Sequence, residues 1–258
     1  MNRFYVYFLT LLFSIAGSAT SNFDSDMTSL GGAFMEQTPD VTKEQSTGAT
    51  SAQDTASPQI YEYQPGFTAA LISDEIFARI YGLSYKEDCT VPLDELRYLN
   101  VLYTNFNGET QSGELICNKG IAEDLLEIFY ELYQASYPIE KIRLIDEYNA
   151  DDTLSITDNN TSCFNFRKVD GSKNLSKHAL GLAIDINPFY NPYVTYPNGT
   201  VRISPIGSEP YADRGWDFPH KIDENDLCFK LFKEHGFTWG GNWKTLKDYQ
   251  HFQKTLDW

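Results

Sequence analysis

The chain has 258 residues, 15% of them aromatic, which is enough for one large domain with additional segments. Its 36 Asp and Glu outweigh 20 Lys and Arg, giving a formal net charge of -16 at pH 7. That balance argues against nucleic acid or an anionic membrane surface as the main partner, and it favours solubility.

Met1-Asn-Arg3 makes a short positive start, an apolar run follows from Phe4 to Ala16, and Gly17, Ser18 and Ala19 are small. This is the pattern of a secretory signal peptide over residues 1–19. The run is too short to span a bilayer and no later stretch has spanning length, so no stable membrane insertion is expected after cleavage. A secreted, periplasmic or cell-envelope location follows. Cys89, Cys117, Cys163 and Cys228 are even in number in a chain expected to meet an oxidising compartment, so one or two disulfides are expected, in no preferred connectivity.

Residues 20–58 are rich in Ser, Thr, Asp, Gln and Gly without hydrophobic periodicity, and read as a disordered linker ahead of a domain at 59–258. Folding is expected to start near Ile60. Ser73 and Asp74 cap a short helix to Tyr81, stopped by Gly82. Leu99, Val101 and Tyr103 alternate into Asn107-Gly108, and Gly113 to Cys117 follows, predicting two strands joined by a turn. Asn118 caps the clearest helix, in which Ile121, Leu125, Ile128 and Leu132 recur at helical spacing up to Tyr137 and Pro138. Phe129, Tyr130 and Tyr133 belong to its core and rim. Ile139 to Asp146 reads as a strand and Asp151-Asp152 as the start of a polar loop. Phe164 and Phe166 alternate with Asn165 and Arg167 in another strand. Pro188 to Gly215, dense in Pro, Tyr, Asn and Gly, reads as a long loop walling a cleft. Asp226 to His235 reads as a helix ended by Gly236, before a strand at Phe237 to Trp239. Short hairpin-connected strands mixed with helices predict an α+β fold, a small mostly antiparallel sheet flanked by helices.

One stretch carries the chemistry. In Ser176-Lys-His178-Ala-Leu-Gly181-Leu-Ala-Ile-Asp185-Ile-Asn187 the residues Leu182, Ile184 and Ile186 alternate with Ala183 and Asp185, a buried strand with one carboxylate on its other face. His178 precedes it across a bend at Gly181, where imidazole and carboxylate can meet around a cation. A third ligand is expected from Asp248-Tyr-Gln-His251, whose spacing of three puts carboxylate and imidazole on one side of a helical turn. His178, Asp185 and His251 then give the three protein ligands of a catalytic Zn2+ site, with Asp248 as proton carrier. Arg167 is the cation expected to stabilise a tetrahedral oxyanion, if its strand neighbours the one with Asp185. Ser176 reads as a brace of the turn, Asn187 as a turn residue before Pro188, and His235 as a cation at a helix C-terminus. His220 stays outside the site, and Trp239 and Trp243 are divided between cleft lining and core.

Ser176-x-His178-x-x-Gly181-x-Ala183-x-Asp185 together with Asp248-x-x-His251 resembles the paired signature of the VanY-type D-alanyl-D-alanine carboxypeptidases and the related phage L-alanyl-D-glutamate endolysins. The resemblance covers about Asn159 to Phe252. It implies zinc on His178, Asp185 and His251, a catalytic carboxylate at Asp248, a peptidoglycan peptide as substrate, and the fold shared with the zinc domain of Hedgehog proteins. Phe166-Arg167-Lys168 is the nearest match to the family's Tyr-Arg-Ser type segment. Asp at position 248 is usual in the endolysin branch and Glu in the D,D-enzymes, which leaves either amide bond open. The Hedgehog likeness leaves a third reading, a zinc-containing wall-binding module without hydrolysis.

Overall fold

Pro65-Gly66 folds the chain back between strands β1 (Tyr61–Gln64) and β2 (Phe67–Ala70), a hairpin that the sequence pattern did not reveal. The structure, a computed structural model, describes residues 60–169 and 171–256. The expected signal peptide and linker lie outside the described residues. Helix α1 (Asp74–Ile80) begins where Ser73 accepts a hydrogen bond from the Ile76 N–H, as the capping pattern requires. Strands β3 (Leu96–Thr104) and β4 (Thr110–Asn118) form the expected antiparallel pair around Asn107-Gly108 and complete a sheet in the order β1-β2-β3-β4.

Helix α2 (Lys119–Gln134) starts at the expected cap, the Asn118 side chain accepting from the Gly120 N–H. Its buried stripe of Ile121, Leu125, Ile128, Phe129 and Leu132 lies against the inner face of the sheet with Phe67, Leu99, Val101 and Leu115. Each such fully buried side chain contributes about 1.5–3 kcal/mol. Only β5 (Lys141–Ile142) of the strand expected at Ile139 to Asp146 is regular, because its parallel partner β6 (Asn160–Thr161) is equally short. The polar loop expected at Asp151 is instead helix α3 (Asp152–Thr157), with Asp151 accepting from the Thr153 and Leu154 N–H groups at its start.

Phe164 to Arg167 runs extended without a regular ladder, but its alternation holds. Phe164 and Phe166 enter a second core with Ile80, Leu96 and Ile116, while Asn165 and Arg167 both turn to Asp152. Strand β7 (Ala183–Asp185) is buried on both faces. After it, the expected long loop is ordered by β8 (Tyr193–Thr195), β9 (Arg202–Ser204) and the short helix α4 (Glu209–Ala212). Helix α5 (Leu227–Glu234), capped by Asp226, leads through Gly236 to β10 (Thr238–Trp239). The chain ends with β11 (Lys247–Asp248) and β12 (His251–Gln253). Two small sheets result, β10-β12-β7 and β11-β8-β9, and the fold is α+β with small antiparallel sheets. No described helix is long and apolar enough to cross a membrane.

The four cysteines are free thiols, three of them buried, so the expected disulfides are absent. Cys117, Cys163 and Cys228 sit in the main core as small apolar residues. Asn160, in the Asn160-Thr-Ser162 glycosylation sequon, is fully buried and bonds to Arg143 and Ser155, which leaves a glycan no room.

Gly181 joins the two halves. It has φ +66°, its carbonyl accepts from the Asn118 N–H at 2.9 Å, and a Cβ there would stand 2.6 Å from that same nitrogen. A non-glycine residue in that conformation costs on the order of 1–3 kcal/mol before any clash. Gly181→Ala is therefore expected to lose more than about 2 kcal/mol of unfolding free energy. Gly108→Ala, at φ +79° with nothing within 4 Å of the added atom, is expected to lose less. Urea unfolding measures both, and equal losses would rule out the backbone clash.

Candidate metal centre

The pairing of β12 with β7 sets His251 directly opposite Asp185 and Phe252 opposite Ile184. Phe252 goes inward, stacking on Phe232 at 4.4 Å, so period-two alternation sends His251 and Gln253 to the other face. His178 arrives from a single helical turn over His178–Leu180, which Ser176 braces by accepting the His178 N–H at 3.2 Å. Gly181 ends that turn and swings the chain into β7.

Donor atoms of three residues converge. His178 Nε2 lies 3.2 Å from His251 Nδ1 and 3.3 Å from Asp185 Oδ2, and His251 Nδ1 lies 3.0 Å from Asp185 Oδ1. Zinc bonds of about 2.0–2.2 Å in tetrahedral geometry place neighbouring ligand atoms about 3.3–3.6 Å apart. Each spacing comes within about 0.3 Å of that range, the two histidines meeting different oxygens of Asp185. The outer nitrogens are committed: His178 Nδ1 meets the Cys163 carbonyl at 2.6 Å, and His251 Nε2 meets Gln253 Oε1 at 3.0 Å. Both partners accept, so each outer nitrogen carries the hydrogen and each inner nitrogen turns a lone pair to the centre. Two imidazoles and a carboxylate so arranged suit zinc, and the residues fit the metal that the sequence implied.

The electrostatics agree. Burial alone would push Asp185 up, but His178 and His251 outweigh it and hold its carboxyl well below the usual range. Burial alone would lower His251, yet Asp185 above all lifts it to about 9. Without a cation, one proton is therefore held between these groups.

Asp248 stands beside the triad, but on no helical turn. Lys247 and Asp248 pair with Val194 and Tyr193, and the chain bends at Tyr249-Gln250 before β12. Sheet pairing on both sides of the bend overrides the helical reading of the spacing. Asp248 Oδ1 is buried and has no hydrogen-bond partner among the described residues. Burial pushes this carboxyl up to about 6; Asp185 adds to the rise, while the imidazoles and a hydrogen bond from Gln250 oppose it. Gly240 lets the strand come close: a Cβ there would lie 2.6 Å from the Asp248 carbonyl oxygen.

Arg167 forms an ion pair with Asp152, and Asp185 bridges to Ser162 rather than to the Asn165-Arg167 segment. The adjacency on which its expected role depended is thus shifted by several residues. Asn165 keeps a link to the site, its N–H donating to the His178 carbonyl at 3.2 Å. Of the two tryptophans, Trp239 packs into the core with Phe229, whereas Trp243 lies 5.3 Å from the His251 ring. His235 bonds to Asp124 at 3.1 Å at the end of α5, away from the triad, as expected of a structural residue. Asn187 ties β7 to Pro138 and Glu140, closer to its turn reading than to a ligand's. Sequence reasoning missed Gln253 and the Cys163 carbonyl. The first was detectable, since it lies two residues from His251 on the same strand face; the second, a main-chain group, left no sequence signal.

Residues 170–254, about a third of the chain, match the model of a family described as D-alanyl-D-alanine carboxypeptidase, which supports a hydrolase of the peptidase class. The matched span holds His178, Asp185, Asp248 and His251, while Arg167 precedes it. No curated protein and no solved structure matches the chain.

Because a metal must displace the proton on His251, zinc uptake at pH 7 is expected to release about one proton per chain. Apparent affinity should fall about tenfold for each pH unit below about 9. Titration calorimetry in buffers of different ionisation heats measures this; uptake without proton release at pH 7 would contradict the assignment.

Proposed function

We propose that the protein is a zinc-dependent peptidase that hydrolyses the amide bond next to a D-amino acid in peptidoglycan stem peptides, acting as a D,D-carboxypeptidase outside the cytoplasm. What carries the reading is the triangle of His178, Asp185 and His251 donor atoms beside an unpartnered, buried carboxylate oxygen of Asp248. The family match over residues 170–254 supports the same class of reaction and favours the carboxypeptidase bond over the L-alanyl-D-glutamate bond. A module that only binds cell wall needs no spare carboxylate there, and burying one costs stability.

When bound by His178, Asp185 and His251, zinc supplies the positive charge that polarises a scissile carbonyl and acidifies water. The chain's residues do the rest. Asp248, with a carboxyl pushed up to about 6, ionises at neutral pH yet remains basic enough to take the proton of the attacking water. The same group then hands that proton to the leaving nitrogen, so the amine departs neutral. Gln253 and the Cys163 carbonyl keep both imidazole lone pairs facing inward throughout. The Trp243 ring packs against the His251 ring at 5.3 Å and helps to hold it.

Asp248→Ala is expected to bind zinc with near-native stoichiometry while losing about 10²–10⁴-fold in the rate of D-alanine release from a stem pentapeptide. In the unsubstituted protein the rate should rise with pH along a limb at or below about 6, as Asp248 loses its proton, since a nearby cation can only lower that value. Amino-acid analysis of the released product, with and without chelator, measures both. Full activity in Asp248→Ala would overturn the proposed role.

A further inference from the structure

A cavity of about 680 Å³ lies between the β3–β4 turn, the end of α2 and the loop carrying His220. Its volume falls within the about 300–1,000 Å³ of small-ligand sites. In a chain with 56 charged Asp, Glu, Lys and Arg residues, none of the residues lining it is charged. One wall is aromatic: the His220 ring lies flat on Phe106, with centroids 3.6 Å apart and planes 7° from parallel. Burial pushes the His220 imidazole below its ordinary value, so this wall is neutral at pH 7. The opposite side is polar, with the Thr110 and Tyr133 hydroxyls 3.1 Å apart and the exposed Gln134 and Ser136 beside them.

Two further observations mark the place. His220, lining the cavity, is a non-glycine residue at φ +64°, and strained residues concentrate at ligand sites. His220 and Pro138 also line an adjoining cavity of about 370 Å³ that is charged, with Asp217, Lys221, Asp223 and Asp226.

Neutral donors and acceptors facing a flat aromatic wall are what an uncharged sugar requires: hydroxyls and amides pair with its hydroxyls, and the ring covers its C–H face. An anion would find no cation among the lining residues, and the nearby Glu109 carboxylate, which accepts from Asn105 at 2.9 Å, can also accept from a sugar hydroxyl. We infer that this cavity binds an uncharged oligosaccharide, with Phe106, backed by the His220 ring, as the stacking wall and Gln134, Ser136, Thr110 and Tyr133 as the hydrogen-bonding side. The site is separate from the triad, and the inference stands on the cavity's own chemistry rather than on the peptidase reading. The two are joined through Pro138, which lines the cavity and whose carbonyl accepts from Asn187, two residues beyond Asp185.

The test is calorimetric or NMR titration of the full chain with the β-1,4-linked tetramer of N-acetylglucosamine. The unsubstituted protein is expected to bind it saturably. Phe106→Ala and the surface change Gln134→Ala are each expected to weaken binding by about tenfold or more. The Gln134 variant guards against misfolding, with thermal unfolding and zinc uptake as fold controls. Asp248→Asn should bind the tetramer as the unsubstituted protein does, so loss of hydrolysis and loss of sugar binding are read separately. No saturable binding by the unsubstituted chain, or unchanged binding in both cavity variants, would overturn the inference.

Discussion

His251 and Asp185 face each other across an antiparallel strand pair, and the centre depends on that register. A slip of one residue would turn one of them to the opposite face and expose Phe252, which is 1% exposed and packed between Phe232 and Trp239. The hydrophobic contacts of Phe252 and Ile184 thus hold two polar ligands in place from the far side of the sheet. Gly181 does the same for His178 by letting the turn lie against the backbone of Asn118. The core of α2 and the first sheet, which contains no site residue, is the support against which that turn is fixed.

A second constraint is charge. Asp185, His178 and His251 are almost buried, and such a group is tolerable only when its members compensate one another. Orientation comes from acceptors at the outer nitrogens, an amide oxygen on His251 and a main-chain carbonyl on His178. Both are neutral, so they fix the tautomers without adding negative charge to a centre that already has two carboxylates. Asp248 sits at the edge of this balance, with one oxygen sealed and unpaired. Its raised pKa and the depressed one of Asp185 divide the labour between a proton carrier and a ligand.

Much of this was legible in the sequence where local rules decide. The caps at Ser73 and Asn118, the helix from Asp226, the stripe of α2 and the alternation through Asp185 each became the expected element. The residues His178, Asp185 and His251 did converge, and the family resemblance reappeared over residues 170–254. What failed were readings that depend on distant partners. Asp248 and His251 kept their spacing but gained separate strand partners, Tyr193 and Asp185, in place of a helical turn. The long segment after Asn187 looked irregular because its two strands are three residues each and are defined by pairing rather than composition. The cysteines count as a pairing set in sequence but as apolar filling in the core.

The central claim is that two histidines and one aspartate, and no cysteine, hold zinc here, although Cys163 lies close enough for its carbonyl to orient His178. X-ray absorption spectroscopy of the zinc-loaded chain tests this most directly. The account predicts a shell of nitrogen and oxygen at about 2.0–2.2 Å with the outer scattering of two imidazoles. A sulfur shell at about 2.3 Å, or a spectrum with no imidazole scattering, would contradict it.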